Sequence, residues 1–148
     1  MDFGVYFIIF AVFGVAHEVF WNGIIDSLKL KNPRLKGQSS VWMFFVYGGV
    51  FFIIYFVTYF FLEYPWWFRG ILYTFLILSW EYLSGFTIKK LVGIAPWDYS
   101  TDKSSDGIAS KKRFHLHGLI CLEYIPIWFA EGLIAEKIFL FLQNHLLV

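Results

Sequence analysis

The stretch that decides the fold is GILYTFLILSWEYLSGFTI, residues 70–88, an apolar run that contains one acidic residue, Glu81. A run of this length is what an α-helix needs to cross the hydrocarbon core of a bilayer, about 20 residues. The whole chain has the same character, since 59% of its residues are hydrophobic, 24% are aromatic and only 16% are charged. A soluble domain has about 25% charged residues. The composition therefore favours an integral membrane protein.

Four apolar segments are predicted to span the membrane, at about residues 3–25, 41–62, 70–88 and 116–137, with an apolar extension over 138–148. No polar periodicity and few turn residues interrupt them, so we expect helices rather than strands. The first segment lacks the positive start and small-residue end of a signal peptide, so we expect it to be retained. The prediction is one all-α transmembrane domain over residues 1–148, a four-transmembrane-helix bundle.

Global features exclude several classes of protein. The net charge of +1 gives no reason to expect a nucleic-acid partner, and the single cysteine allows neither an internal disulfide nor a cysteine metal cluster. The chain has no G-x-x-x-x-G-K-[ST] phosphate-binding loop. No cofactor and no metal site are predicted, and a bound phospholipid is the candidate small ligand.

Basic residues are distributed unevenly between the two sides of the predicted bundle. Arg69 and Lys137 lie on one side, and the other ten basic residues lie in the first and third connections. These ten are Lys29, Lys31, Arg34, Lys36, Lys89, Lys90, Lys103, Lys111, Lys112 and Arg113. Because basic loops stay on the cytoplasmic side, we expect both loops to face the cytosol, or the matrix if the membrane is an organelle inner membrane. Both termini then lie on the opposite side.

Carboxylates inside the spans are the candidate functional groups. An acid at the bilayer centre costs roughly 2.5–3.5 kcal/mol, so it faces the bundle interior, water or a partner. Glu18, Glu81 and Glu123 are each predicted to lie roughly 10–12 Å from the basic side, with Tyr47 at the same level, His17 as the nearest candidate partner and Glu131 further away. The three acids predict a shared polar layer, which is either protonated helix contacts, a transport or ligand site, or a metal site. Pro126 is expected to kink the fourth helix.

Four stretches carry a family resemblance: SSVWMFFVYG (39–48), WEYLSGF (80–86), PWDYS (96–100) and GLICLEY (118–124). In this order they resemble the transmembrane protein 229 family and the wider group of type-IV ABC-transporter-like membrane proteins. By this resemblance the family's motif positions are Glu18, Glu81, Trp97, Asp98, Tyr99, Ser100, Gly118 and Glu123. Residues 101–117 are longer and more basic than the corresponding link in the family.

The motif Trp97-Asp98-Tyr99-Ser100 permits two interpretations. It is either a turn packed on the mouth of the bundle, or a cover whose Asp98 and Tyr99 close over the carboxylate layer. Trp97 is also expected to serve as an interfacial anchor, as are Trp42, Trp66 and Trp67. The candidate contacts to lipid headgroups or to a partner are the neighbouring basic residues Lys89, Lys90, Lys111, Lys112 and Arg113.

Three function hypotheses follow. The first is a non-enzymatic accessory subunit of a larger membrane complex, which would contact membrane lipids and other membrane-protein subunits. The second is a small transporter or lipid-binding protein that uses the carboxylate layer. The third is a membrane enzyme that acts on lipid.

Overall fold

The computed structural model describes residues 2–31, 33–100 and 112–145, and this part of the chain forms a bundle of four helices. The helices are α1 (Phe3–Leu30), α2 (Trp42–Phe61), α3 (Trp66–Val92) and α4 (Ile125–His145). A small antiparallel hairpin, β1 (His115–Leu116) with β2 (Ile120–Cys121), and a 3-10 turn (Leu122–Tyr124) precede α4. We call the end of the bundle with the α2–α3 turn the turn end, and the end with the two long connections the loop end.

Local sequence sets where the helices begin and end. The Asp2 carboxylate caps α1 by accepting hydrogen bonds from the backbone N–H groups of Gly4 at 2.9 Å and Val5 at 3.3 Å. Helix α3 ends at Gly93, whose φ of 85° is the left-handed conformation that glycine adopts freely at a helix C-terminus. Pro126 lies in the first turn of α4, where a missing N–H costs nothing. The predicted kink at Pro126 is therefore wrong, because the proline begins the helix instead of interrupting it.

The all-α membrane-type architecture is confirmed, but the prediction of four transmembrane helices is not. Among the described residues, three helices are long and apolar enough to cross a membrane: Phe3–Leu28, Trp42–Phe61 and Trp66–Val92. The fourth predicted span, 116–137, is wrong because its first part forms the hairpin and the 3-10 turn. The helix that follows carries Glu131, Glu136 and Lys137, and these three charges lower its hydropathy. The three confirmed segments make the chain a multi-pass membrane protein.

The packed core lies toward the turn end. Tyr6 of α1, Phe51 of α2 and Phe139 of α4 form its centre, with ring centroids 5.4 Å apart for Tyr6 and Phe51 and also for Tyr6 and Phe139. Tyr73 and Ile77 of α3 complete the same cluster. Helix α1 packs mainly on α2, and α4 packs mainly on α3. The two pairs therefore meet through the aromatic core at the turn end, whereas the loop end holds the cavity described next.

Candidate functional site

A cavity of about 1130 Å³ lies between α1 and α4 and extends toward the loop end. Phe13 and Trp21 on α1 and Ile134 and Ile138 on α4 border it, and all four side chains are exposed. Exposed apolar residues on both edges mean that the cavity opens sideways, toward the lipid that surrounds a membrane-spanning bundle. Its volume slightly exceeds the range that is usual for small-molecule sites, roughly 300–1,000 Å³.

Polar side chains from all four helices meet at the middle of this cavity. His17 and Glu18 come from α1, Tyr47 from α2, Glu81 from α3 and Glu131 from α4. His17 Nε2 lies 3.7 Å from Glu131 Oε1, and this contact crosses the opening between α1 and α4. We call these five residues the carboxylate layer. The structure thus brings together His17, Glu18, Tyr47 and Glu81, four of the residues that the sequence predicted to share a layer.

Tyr47 can reach the layer because of a glycine on the neighbouring helix. A Cβ atom at Gly14 of α1 would overlap the Tyr47 ring, so the absence of a side chain lets α1 and α2 approach at this level. The Tyr47 ring consequently lies among the carboxylates of Glu18, Glu81 and Glu131. The polar layer depends on a small residue as much as on the polar ones.

Glu81 is the most enclosed member of the layer. Only 7% of the residue is exposed, and its Oε1 accepts a hydrogen bond from the Tyr99 hydroxyl at 3.0 Å. Its other oxygen, Oε2, is buried and has no hydrogen-bond partner among the described residues. The same holds for the indole Nε1 of Trp128, which lies close to Glu81 in the cavity wall. By contrast, Glu18 Oε2 accepts a hydrogen bond from Ser39 Oγ at 2.6 Å.

The structure places Glu123 outside the layer, and the predicted position of this residue is wrong. Glu123 is exposed in the 3-10 turn, where its Oε1 accepts a hydrogen bond from the backbone N–H of Arg113 at 3.0 Å. Its Oε2 lies 3.8 Å from Lys112 Nζ. Since α4 begins at Ile125 rather than near residue 116, Glu131 in the second turn of α4 takes the place that was assigned to Glu123.

The motif at residues 97–100 combines both interpretations offered by the sequence. Tyr99 reaches the layer through its hydrogen bond to Glu81, whereas Asp98 does not. Asp98 Oδ1 instead accepts hydrogen bonds from the Ser100 backbone N–H at 2.8 Å and the Ser100 hydroxyl at 2.6 Å, which hold the turn. Burial raises the pKa of Asp98, but these bonds and the nearby Lys89 charge outweigh it, so the pKa lies below its ordinary value. Burial, with the Glu81 charge, raises the pKa of Tyr99 well above its ordinary value, so its hydroxyl remains a donor.

Trp97 is a buried packing residue and not the interfacial anchor that was predicted. Only 9% of it is exposed, and its ring packs against Gly85 of α3. Its indole Nε1 donates to the Leu119 carbonyl at 2.8 Å, and the Tyr99 backbone N–H donates to the Gly118 carbonyl at 2.9 Å. These two bonds join the motif to the turn of the hairpin. Gly118 is required there, because its φ is 71° and a Cβ would overlap the Asp98 carboxylate.

The predicted basic contact residues are distributed over the loop end. Lys89 and Lys90 are exposed in the last turn of α3. Lys112 lines the cavity, and its Nζ lies 4.9 Å from the centroid of the Tyr124 ring. Arg113 is exposed, with its guanidinium 5.3 Å from the Phe114 ring centroid. Lys111 lies outside the described residues.

A buried ion pair at the turn end, between Arg69 and Glu136, was not predicted from the sequence. Arg69 Nε and Nη2 donate to the two carboxylate oxygens of Glu136 at 2.7 and 2.8 Å, and the Tyr73 hydroxyl donates to the same carboxylate at 3.0 Å. Arg69 Nη1 also donates to the backbone carbonyls of Leu62 and Tyr64 in the α2–α3 turn. Every member is satisfied, which is typical of a structural network rather than a ligand site. The sequence signal for this pair was the position of Arg69 at the start of the predicted third span and of Glu136 at the end of the predicted fourth span.

Comparison with known families agrees with this architecture. No solved structure matches the chain. A family described as "Putative ABC-transporter type IV" matches residues 5–147, which confirms the resemblance to type-IV ABC-transporter-like membrane proteins. Since the match takes in nearly the whole sequence, the chain belongs to this family.

Proposed function

We propose that this protein is a non-enzymatic membrane subunit that binds an amphiphilic molecule in the cavity between α1 and α4. The observation that carries the proposal is the combination, in one cavity, of an apolar sideways opening and a buried polar layer. Such a cavity can accept the hydrocarbon part of a molecule from the membrane while its polar group reaches the layer. Ligand sites in membrane helix bundles have this composition, with a mostly apolar wall and few polar groups.

The depth order of the lining residues supports entry from the membrane. Along α1, Ile9 and Phe13 precede His17 and Glu18, and along α4, Ile134 and Ile138 follow Glu131. The apolar part of the cavity therefore lies on the turn-end side of the carboxylate layer. A chain-like apolar group would lie along this part while the polar group of the same molecule contacts the layer.

A role within a larger assembly is the second part of the proposal. The family description refers to a transporter class that is driven by ATP, and this chain has no phosphate-binding loop of the Walker type. If the protein works in such a transporter, another subunit must hydrolyse ATP. The exposed Lys89 and Lys90 at the loop end are the candidate contacts to that subunit or to anionic lipid headgroups. We expect the loop end to face the cytosol or a matrix.

A pair of variants on one helix tests the binding function. Ala135 is half-buried and lines the cavity, whereas Ala130 lies on the same helix, is exposed and does not line it. We expect Ala135→Trp to fill the opening and to remove a co-purified amphiphile from the native mass spectrum, while Ala130→Trp keeps it. If both variants carry the same ligand as the wild type, the cavity is not the binding site.

Native electrophoresis of the gently solubilised protein, followed by mass spectrometry of the band, tests the assembly role. We expect migration with a fixed companion that contains a phosphate-binding loop. Migration of the chain alone, or only with copies of itself, would contradict the role as a subunit and leave ligand binding as the function.

A further inference from the structure

We infer that the cavity takes an amphiphilic organic cation, with its ammonium group at the carboxylate layer and its hydrocarbon chain between α1 and α4. This inference rests on the proposed function, because it names the chemical class of the molecule bound in the same cavity. It is carried by the unpartnered Glu81 oxygen and by the surroundings of that atom.

The carboxylate layer contains more acidic than basic side chains. Glu18, Glu81 and Glu131 supply three carboxyl groups, while the only basic side chain of the layer is His17, which is half-exposed at the opening. Glu81 Oε2 is buried in the wall and makes no hydrogen bond among the described residues, although the indole Nε1 of Trp128, itself a donor, lies beside this carboxyl. A buried acceptor without a hydrogen bond is destabilising, so the site favours a ligand that brings a donor and positive charge. An ammonium group brings both.

The wall of the cavity around the carboxylate layer is rich in aromatic side chains. Trp80, Trp128, Tyr47, Tyr99 and Tyr124 all line the cavity around the layer. The faces of aromatic rings attract cations, and cages of this type bind organic ammonium groups. One of these rings already has an ammonium group above it, since Lys112 Nζ lies 4.9 Å from the Tyr124 centroid. The wall therefore has the chemistry that binding an ammonium requires.

The arrangement of the acids and the size of the cavity favour an organic cation over a bare metal ion. Within residues 2–31, 33–100 and 112–145, no three side chains of His, Cys, Asp or Glu converge closely enough to hold a metal ion. The three acids come from three different helices and line a cavity of about 1130 Å³. A cavity of this volume accommodates a molecule larger than a single ion, whose hydrocarbon chain can occupy the apolar part.

The distribution of charged and apolar residues around the cavity favours one route of entry and one orientation of the ligand. Three basic residues, Arg34, Lys36 and Lys112, and one acid, Asp26, line the loop end of the cavity, and this excess of positive charge opposes the approach of a cation from that side. The opening between α1 and α4 is apolar on the turn-end side of the His17–Glu131 contact. In a zwitterionic phospholipid the phosphate would lie between the hydrocarbon chains and the ammonium, which would place an anion at the carboxylates. A single-headed alkylammonium has the order of groups that matches the cavity.

The test compares molecules that share one chain and differ in the head group. The protein is transferred to a nonionic amphipol, and equilibrium dialysis measures the binding of radiolabelled decylammonium, decyl sulfate and 1-decanol. We expect saturable binding of decylammonium, at least about tenfold tighter than that of the other two, a difference of about 1.4 kcal/mol. Glu81→Gln keeps an acceptor for the Tyr99 hydroxyl, and it should weaken decylammonium binding about tenfold or more.

Two further variants keep the test decisive. Glu131→Gln removes a second carboxylate of the layer and replaces Glu81→Gln if the latter does not fold, as judged by circular dichroism. Glu63→Gln removes an exposed carboxylate at the turn end and should bind decylammonium as the wild type does. Equal binding of all three probes would overturn the cation inference and leave the proposed function standing. No saturable binding of any probe would overturn both.

Discussion

Removal of the Glu136 carboxylate is the most informative perturbation of the fold. Glu136 is completely buried and accepts three hydrogen bonds, two from the Arg69 guanidinium and one from the Tyr73 hydroxyl. In Glu136→Leu the Arg69 charge remains buried without its counter-ion. Breaking a buried pair in this way costs about 3–5 kcal/mol. The folded-to-unfolded ratio should therefore fall by roughly two to four powers of ten.

The assay is reversible unfolding in mixed micelles, followed by far-ultraviolet circular dichroism. The matched control is Lys137→Gln, because Lys137 is the next residue, is exposed and lies 3.9 Å from Glu136 Oε1. Because the Lys137 ammonium lies in solvent and the Glu136 carboxylate already has Arg69 as its counter-ion, losing the Lys137 charge should cost about 0–1 kcal/mol, and this variant should unfold close to the wild type. If Glu136→Leu and Lys137→Gln lost the same stability, the buried pair would not hold the turn end together. Combining Glu136→Leu with Arg69→Met should lose less stability than the sum of the two single changes.

Three more changes have defined outcomes. Gly14→Ala places a Cβ against the Tyr47 ring and should lower the free energy of unfolding by about 1–3 kcal/mol in the same assay. Tyr99→Phe leaves the buried Glu81 Oε1 without its donor and should cost about 1–3 kcal/mol. Asp98→Asn tests a pH dependence. Because the pKa of Asp98 is lowered in the folded protein, its carboxylate stabilises the fold at neutral pH. This contribution is lost as the pH falls through the folded-state pKa. The stability difference between wild type and Asp98→Asn should therefore shrink below about pH 4.

Each of these changes has a control or a contrary result. Gly4→Ala lies in the exposed first turn of α1 and should be nearly neutral, and equal losses for both glycines would contradict the close approach at Tyr47. Tyr59→Phe removes an exposed hydroxyl and should have no effect, unlike Tyr99→Phe. If the difference in unfolding free energy between wild type and Asp98→Asn stayed constant from pH 7 to pH 3, the Asp98 carboxylate would not stabilise the turn at residues 97–100.

The sequence predicted the parts of the fold that depend on local chemistry. Hydropathy located the first three helices, since apolar length alone decides whether a helix can cross a bilayer. It also indicated the common level of Glu18 and Glu81, because the rise per residue converts sequence position into depth. Helices α1 and α3 extend beyond the predicted ends because polar and basic residues at a membrane surface can continue a helix without being apolar.

The errors arose where non-local contacts decide the structure. Residues 116–124 were assigned to the fourth span because most of them are apolar. Gly118 and His117 instead adopt positive φ values and turn the chain into a hairpin. Hydrogen bonds from Trp97 and Tyr99 hold this hairpin in place. That contact could not be read from the order of residues. The same shift moved Glu123 out of the carboxylate layer and Glu131 into it. The pairing of Arg69 with Glu136 also depends on which helix ends meet.

The uneven packing of the bundle has a mechanical consequence. At the turn end, an aromatic core and the buried Arg69–Glu136 pair join the helices. A cavity lies between α1 and α4 and extends toward the loop end. In the most apolar part of α1 only 17% of residues are buried, against 39% in α2 and in α3. Fewer packed side chains hold α1 against α4 than hold the helices together at the turn end. A change in the spacing between α1 and α4 is therefore expected to begin at the cavity and not in the aromatic core.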